Sequence, residues 1–262
     1  MFNKTETLKG NKLRCLDGEI GEVSGFYFDD KHWTVRYLVA DTMKWLPART
    51  VLISPYALGG VNREEGTISV HLTQKQVEGS PAWNADNPVS WPFEEAYHGY
   101  YGWPLYWEGT DRWGSDPYIA RDQYPQKTYL QDWKKPDHHL YSTRLVGGFF
   151  IQATDGEIGH AVDFILDDET WAIRYLVIDA RAWWPGKQVL VSPRWIRDVS
   201  GIESKISVDL SREAIQLSPE YDQEILLSRD YEAGLYRHYD RQGYWVHDPA
   251  AKENHTGALP RQ

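Results

Sequence analysis

The run Asp17–Val39, DGEIGEVSGFYFDDKHWTVRYLV, decides how the chain reads, because it returns 138 positions later as Asp155–Val177, DGEIGHAVDFILDDETWAIRYLV. A repeat of that length is a whole domain copied in tandem, since the units of stacked repeat proteins recur every ~20–50 residues. Outward from the run the register holds without a gap. Ser54-Pro55 matches Ser192-Pro193, Ile68-Ser69-Val70 matches Ile206-Ser207-Val208, and Ser80-Pro81 matches Ser218-Pro219. An ungapped match over this distance means that the loops are specified as tightly as the strands.

Within the run, Asp17-Gly18 is a turn, and Ile20–Phe28 reads as a strand with bends at Gly21 and Gly25. Asp29-Asp30-Lys31 turns the chain back into Trp33–Val39, which alternates Trp33, Val35, Tyr37 and Val39 against Thr34, Arg36 and Leu38. That period of two predicts a strand with one face on a core. Thr50–Ile53 and Thr67–Leu72 are further short strands, Ser54-Pro55 starts a single helical turn, and Thr73-Gln74-Lys75-Gln76 has capping-box spacing for a short helix. Closely spaced strands punctuated by Gly, Asp and Pro, with no long helical period, predict a small antiparallel barrel or sandwich in each copy.

The match continues past the last strand. Ser90, Phe93, Glu94, Tyr101, Tyr106 and Trp107 correspond to Ser228, Tyr231, Glu232, Tyr239, Tyr244 and Trp245. An aromatic-rich arm, expected to be irregular, therefore belongs to each module. The reading is a first module over residues 1–107, whose first 12 residues are a polar lead-in, an irregular connector over 108–145, a second module over 146–245 and a polar tail over 246–262.

The motifs DGEIG, the Asp-Asp turn and RYLV, followed by VLISP or VLVSP and by ISV with a capped helix, resemble the PRC-barrel family across about residues 13–80 and 151–218. That family includes the cytoplasmic domain of the photosynthetic reaction-centre H subunit and the C-terminal domain of a ribosome-maturation factor. The resemblance implies a mainly β chain of two small antiparallel PRC-type β-barrels in tandem. It also implies that each acts by binding protein partners, with no shared catalytic residues and no cofactor. No membrane-spanning helix or RNA-related domain precedes the first copy, so a stand-alone bacterial PRC-barrel protein is the expectation, with a reaction-centre-like role in photosynthetic electron transfer as a further alternative.

Composition narrows the function. A formal net charge of −10 lacks the basic footprint of phosphate-backbone binding, so nucleic acid is not an expected partner. One cysteine, Cys15, gives no disulfide framework and fits a reducing compartment. With no run of ~18 apolar residues and no apolar signal-peptide core in the first residues, a cytoplasmic protein without a membrane span is expected.

The unusual chemistry is aromatic: 13 Trp and 17 Tyr against 2 Met. In the arm YHGYYGWPLYW, the residues Tyr101, Trp103, Tyr106 and Trp107, with Tyr239, Tyr244 and Trp245 in the second copy, offer apolar area with polar handles suited to an interface or a stacked ligand. Because the arm keeps register with the fold, packing across its own barrel or its sister is the favoured reading. Trp45 and the pair Trp183-Trp184 lie in the loop after the strongest strand, as interface anchors or a lid over the barrel end.

Asp29-Asp30 and Asp167-Asp168 read as turn acids pointing into water, not as a catalytic pair, since catalytic carboxylates flank a substrate from separate places. Asp137-His138-His139 has metal-ligand residue types without converging spacing, and no histidine keeps the 138-residue register. No catalytic, metal or cofactor residue is assigned. The expected function is a non-enzymatic protein-interaction or scaffold module, with a protein partner or a homodimer. A small-ligand or carbohydrate-binding protein stacking on Trp and Tyr is the alternative.

Overall fold

The computed structural model describes residues 1–42, 45–46, 49–84, 88–114, 118–119, 140–180, 187–222 and 227–246. The first copy runs β1 (Phe2–Lys4), α1 (Thr5–Leu8), β2 (Lys12–Arg14), β3 (Glu19–Asp29), β4 (Thr34–Asp41), β5 (Thr50–Ile53), β6 (Leu58–Asn62), β7 (Thr67–Val70), α2 (Gln74–Glu78) and α3 (Trp91–Tyr101). The second repeats the plan as β8 (Leu140–Ser142), α4 (Thr143–Val146), β9 (Phe150–Ala153), β10 (Gly156–Asp167), β11 (Ile173–Asp179), β12 (Gln188–Val191), β13 (Ile196–Ser200), β14 (Lys205–Val208), α5 (Arg212–Gln216) and α6 (Arg229–His238).

The chain is mainly β, in two seven-stranded sheets of matching order, β5-β4-β3-β2-β7-β6 and β12-β11-β10-β9-β14-β13. Neither sheet is wholly antiparallel as expected: β2 runs parallel to β7, and β9 to β14. Among the described residues no ladder joins the two ends of either sheet. No described helix is long and apolar enough to cross a membrane.

The seventh strand of each sheet comes from the other copy. β1 pairs with β10, through Phe2 opposite Asp167, and β8 pairs with β3, through Leu140 opposite Asp29. The lead-in expected over residues 1–12 is therefore a strand and a helical turn, with Leu8 fully buried. Likewise the end of the expected connector, residues 140–145, is structured as the opening of the second module. Both segments sit on the 138-residue register, Phe2–Leu8 against Leu140–Val146.

The copies also meet through their strongest strands. Val35 N donates to Trp171 O at 2.8 Å, and Ile173 N donates to Trp33 O at 2.7 Å. Both tryptophans take a left-handed backbone, φ 50° and 56°, a conformation that side-chain-bearing residues hold only where surrounding packing enforces it. The Phe28 and Phe164 rings meet across the junction at 5.6 Å and a tilt of 47°, Phe26 lies 6.4 Å from Trp171, and one continuous core takes residues from both copies.

The identifying motif DGEIG works as scaffold. The Asp17 carboxylate accepts from Gln74 N at the start of α2, and Asp155 does the same for Arg212 N at the start of α5. At Gly21 and Gly159 the backbone takes φ 136° and 145°, where an added Cβ would stand 2.0 and 2.1 Å from the carbonyl oxygens of Asp41 and Asp179. Gly21→Ala is thus expected to destabilise the chain by roughly 1–3 kcal/mol, from backbone strain and a displaced strand. Gly25→Ala, which meets nothing within 4 Å, is the control; equal urea midpoints for the two variants would contradict this reading.

Strand β4 departs from the expected one-sided burial. Thr34, Arg36 and Leu38 are as buried as Val35 and Tyr37, because Val35 and Leu38 enter the main core, the arm covers Tyr37 and Arg36, and Thr34 bridges to Ala172 of the other copy. The arm itself is not irregular at its start. Ser90 caps α3 by accepting from Phe93 N, a proline enters the first turn, Glu94 follows, and Gly102 closes the helix in the left-handed conformation at φ 70°. These are ordinary start and stop signals.

Candidate functional site

The densest polar chemistry among the described residues lies where the arm meets β4. Helix α3 carries Glu94 one turn beyond its cap, and His98 a turn later on the same face. The Glu94 carboxylate accepts from the hydroxyls of Tyr37 at 2.9 Å and Tyr106 at 2.8 Å. His98 Nδ1 is 2.8 Å from the Pro104 carbonyl, and its Nε2 is 3.0 Å from the Tyr37 hydroxyl. A carbonyl only accepts, so Nδ1 carries the proton of neutral His98 and Nε2 is left as an acceptor. The single Tyr37 proton then serves Glu94 or His98, one at a time.

Beside this cluster, Asp29 turns back under the arm. Its carboxylate accepts from Arg36 Nε at 2.7 Å and from His32 N at 2.7 Å. The Arg36 guanidinium lies 4.0 Å from the Tyr106 ring and 4.7 Å from the Trp113 ring. Burial alone would raise the Asp29 carboxyl, but Arg36 and His32 outweigh it and hold it well below the usual carboxylate range. The expected solvent-facing turn acid is thus a buried ion pair in the first copy, and Asp167 with Arg174 at 3.1 Å repeats it in the second.

The second copy rebuilds the cluster with two changes, the first being that Arg229, at the position of Trp91, pairs with the Glu232 carboxylate at 3.0 Å. Glu232 accepts from Tyr175 at 2.7 Å and Tyr244 at 3.0 Å, and Arg174 lies 4.2 Å from the Tyr244 ring. Tyr236 stands where the first copy has His98, and its hydroxyl meets Ser192 Oγ at 3.1 Å. Tyr97 serves that purpose in the first copy, donating to Leu52 O at 2.9 Å and accepting from Ser54 N at 3.1 Å.

Tyrosine, glutamate and histidine in contact can move protons, but access decides what they do here. Tyr37 and Glu94 are fully buried, and His98 and Tyr106 are 1% and 4% exposed. Burial, reinforced by the Glu94 carboxylate, raises the Tyr37 phenol well above its ordinary value and keeps it a neutral donor. The arrangement is a strut that ties arm to sheet.

The histidine in the strut carries a pH dependence. Burial lowers His98 from 6.5 to about 4, with Arg36 adding to the shift and the Pro104 hydrogen bond opposing it. Between pH 6.5 and 4 the unfolded chain binds the proton and the folded chain does not. Stability is therefore complete above pH 6.5 and falls towards pH 4, by on the order of 3 kcal/mol from this group. Glu232 and Asp163, raised by burial, act in the opposite sense because the folded state protonates more readily. His98→Gln is expected to lower stability at neutral pH yet flatten its decline from pH 6.5 to 4.5; parallel pH profiles for the two proteins would refute the assignment.

The aromatic residues expected at a surface divide into two groups. Tyr106, Tyr239 and Tyr244 point inward and are buried: the first and third are held by Glu94 and Glu232, and Tyr239 packs 4.6 Å from Trp195. These three are not available as a surface. Trp45, Tyr101, Trp103, Trp107 and Trp245 are half-buried and pack against the core. Trp183 and Trp184 lie outside the described residues, as does Asp137-His138-His139. Among the described residues no group of three or more His, Cys, Asp or Glu is placed to hold a metal. Cys15 is half-buried, and burial with the nearby Asp17 pushes its thiol up to about 12.

Tyr101 and Trp103 do meet open space. They stack at 4.3 Å and 13°, and with Tyr56, His71, Gln76 and Tyr100 they line a groove of about 520 Å³. A second cleft, of about 440 Å³, opens at the junction of the copies around Lys31, Arg174 and Arg194. No motif announced it; the signal present in the sequence was a break in the repeat, Lys31 against Glu169 and Tyr56 against Arg194. No protein-family model matches the chain, and no curated protein matches it.

Proposed function

We propose that the chain is a non-enzymatic interaction scaffold, two PRC-barrel-type modules locked into one body that binds a protein partner. The observation that carries this reading is the fate of the best catalytic candidate. Tyr37, Glu94, His98 and Tyr106 are sealed beneath the arm, and Tyr175, Glu232 and Tyr244 repeat the arrangement without the histidine. A catalytic constellation must reach substrate, whereas a strut must hold in both copies. The repeat keeps the two tyrosines and the glutamate at these inward positions and is loose at outward ones, where Lys12, Ser24 and Glu64 correspond to Phe150, Val162 and Ile202. Divergent surface on a common frame is what recognition of a particular partner requires.

The test is affinity capture with the full chain, followed by reconstitution with the purified captured protein and sedimentation of the chain alone. Binding of defined stoichiometry by the reconstituted pair, or concentration-dependent self-association, is expected. A chain that stays monomeric and binds no purified candidate contradicts the reading.

The groove beside Tyr101 and Trp103 supports a second reading, a small-ligand site that takes a sugar or a flat heterocycle on stacked rings. Its counterpart in the second copy is bridged instead by ions, Asp209 with Arg197 at 2.5 Å and with Arg241 at 3.2 Å. Titration of tryptophan fluorescence with a sugar and heterocycle panel is expected to show saturable quenching that Trp103→Ala weakens. A flat response would sink this reading.

A further inference from the structure

The cleft between the copies is cationic on a chain that is acidic as a whole. The chain carries a net charge of −10, yet the ionisable residues lining this cleft are Lys31, His32, Arg112, Arg174 and Arg194, with Asp111 the one acid among them. Arg174 is already paired with Asp167, and His32 stands 3.3 Å from Asp29. Lys31 and Arg194 are exposed and make no ion pair among the described residues. Cations gathered on a concave surface focus their field into it and attract anions.

The repeat makes the feature sharper. In the first copy the space beside Arg36 is filled by the chain itself. The Trp113 ring, 3% exposed, lies 4.7 Å from the Arg36 guanidinium and 5.3 Å from the Tyr56 ring. In the second copy the matching wall of Arg174 and Tyr244 faces the cleft, and Arg194 replaces Tyr56. Lys31 and His32, which reach in from the first copy, correspond to Glu169 and Thr170 on the other side. The cationic side chains thus differ between copies at the positions that line the opening, while the supporting Arg, Tyr and Asp are kept.

We propose that this cleft binds a small polyanion, a molecule with two or more negative charges in a compact frame, as in a phosphate ester or a di- or tricarboxylate. Lys31 and Arg194 supply the uncommitted charge from opposite copies, and Arg112 and Arg174 extend the positive wall. A volume of about 440 Å³ suits such a molecule, since small-molecule sites run from ~300 Å³ upward. The site is independent of the scaffold reading and joins the copies, so its occupant would bind the assembled pair of modules and not one alone.

The experiment is isothermal titration of the full chain, at salt of about 50 mM to limit screening, with inorganic pyrophosphate, AMP, citrate and glucose as probes. Pyrophosphate, AMP or citrate is expected to bind with a Kd on the order of 10–100 μM, and glucose not at all. Preference for the phosphate probes assigns a phosphate ester, and preference for citrate assigns a carboxylate. The double variant Lys31→Glu/Arg194→Tyr installs residues that the sister copy carries at the same positions, so the fold should survive. It is expected to weaken binding by about tenfold or more with the thermal midpoint unchanged, and Lys31→Ala alone serves as the second variant should the double one fail to fold. Absence of binding by every anion, or affinity unchanged in the variants, overturns the proposal.

Discussion

Trp171→Ala is expected to lower the free energy of unfolding by about 3–5 kcal/mol, the usual range for emptying a large aromatic from a core. Trp171 has no exposed surface and heads the fully buried side chains by volume. The loss falls on the junction of the copies, because its indole packs near Phe26 of the first copy and its carbonyl accepts from Val35 N. The left-handed backbone at φ 56° is held by that packing, so removing the ring also loosens the crossing. Trp33→Ala, at the partner position with 7% exposure, should cost somewhat less. Urea unfolding of both variants checks this, and a loss below about 1 kcal/mol for Trp171→Ala would mean that the junction is not packed as described.

Asp29→Ala is the second large effect, also expected at about 3–5 kcal/mol, since removing one partner of a buried ion pair strands the other charge. Arg36 is 1% exposed and sits between the Tyr106 and Trp113 rings. Attraction to those rings offsets some of the loss, by about 1–2 kcal/mol for a desolvated cation, but does not replace the carboxylate. Adding Arg36→Met to Asp29→Ala should recover much of the stability, because the pair replaced by apolar bulk leaves no orphan charge. The contribution has a defined pH window. Asp29 is held below its ordinary value, so its stabilisation is complete above about pH 4 and is lost only as pH falls through the lower folded value. Asp167→Ala should cost less, because Arg174 also donates to Thr170 at 3.3 Å and is 6% exposed. A double variant no more stable than Asp29→Ala would refute the ion-pair account.

The plan of the fold was legible where signals are local. The duplication, the strands of the DGEIG run, the Thr73 capping box and the Ser54-Pro55 turn all follow from spacing and residue type, and the structure carries them. The reciprocal strands β1 and β8 were not legible. Each is three residues long, too short for a period of two to register, and each pairs with a strand in the other copy. Helix α3 was missed because Tyr, His and Gly through 97–102 are poor helix formers, although Ser90, the proline after Trp91 and Glu94 mark its start. Its stability comes from Glu94 and Tyr97 buried on the sheet, which is tertiary and invisible to propensity.

The candidate site divides in the same way. That the arms would pack across their own module or its sister followed from their keeping register, and Tyr106 and Tyr244 pack within their own modules. That Asp29 would turn inward did not follow, because an Asp-Asp turn reads as solvent-facing until Arg36 is known to lie beneath it. The cleft residues Lys31 and Arg194 stand where the repeat fails, against Glu169 and Tyr56, so no recurring pattern marks them, and positions of this kind carry the divergent surface.

The two copies form one body, with strands exchanged both ways and a main core that takes residues from both. Scanning calorimetry of the full chain tests it most directly. One body predicts a single transition whose calorimetric and van't Hoff enthalpies agree, as cooperative two-state unfolding requires, and Trp171→Ala should shift that transition as a whole. Two resolved transitions, or a calorimetric enthalpy about twice the van't Hoff value, would show that the modules melt independently and would contradict the account.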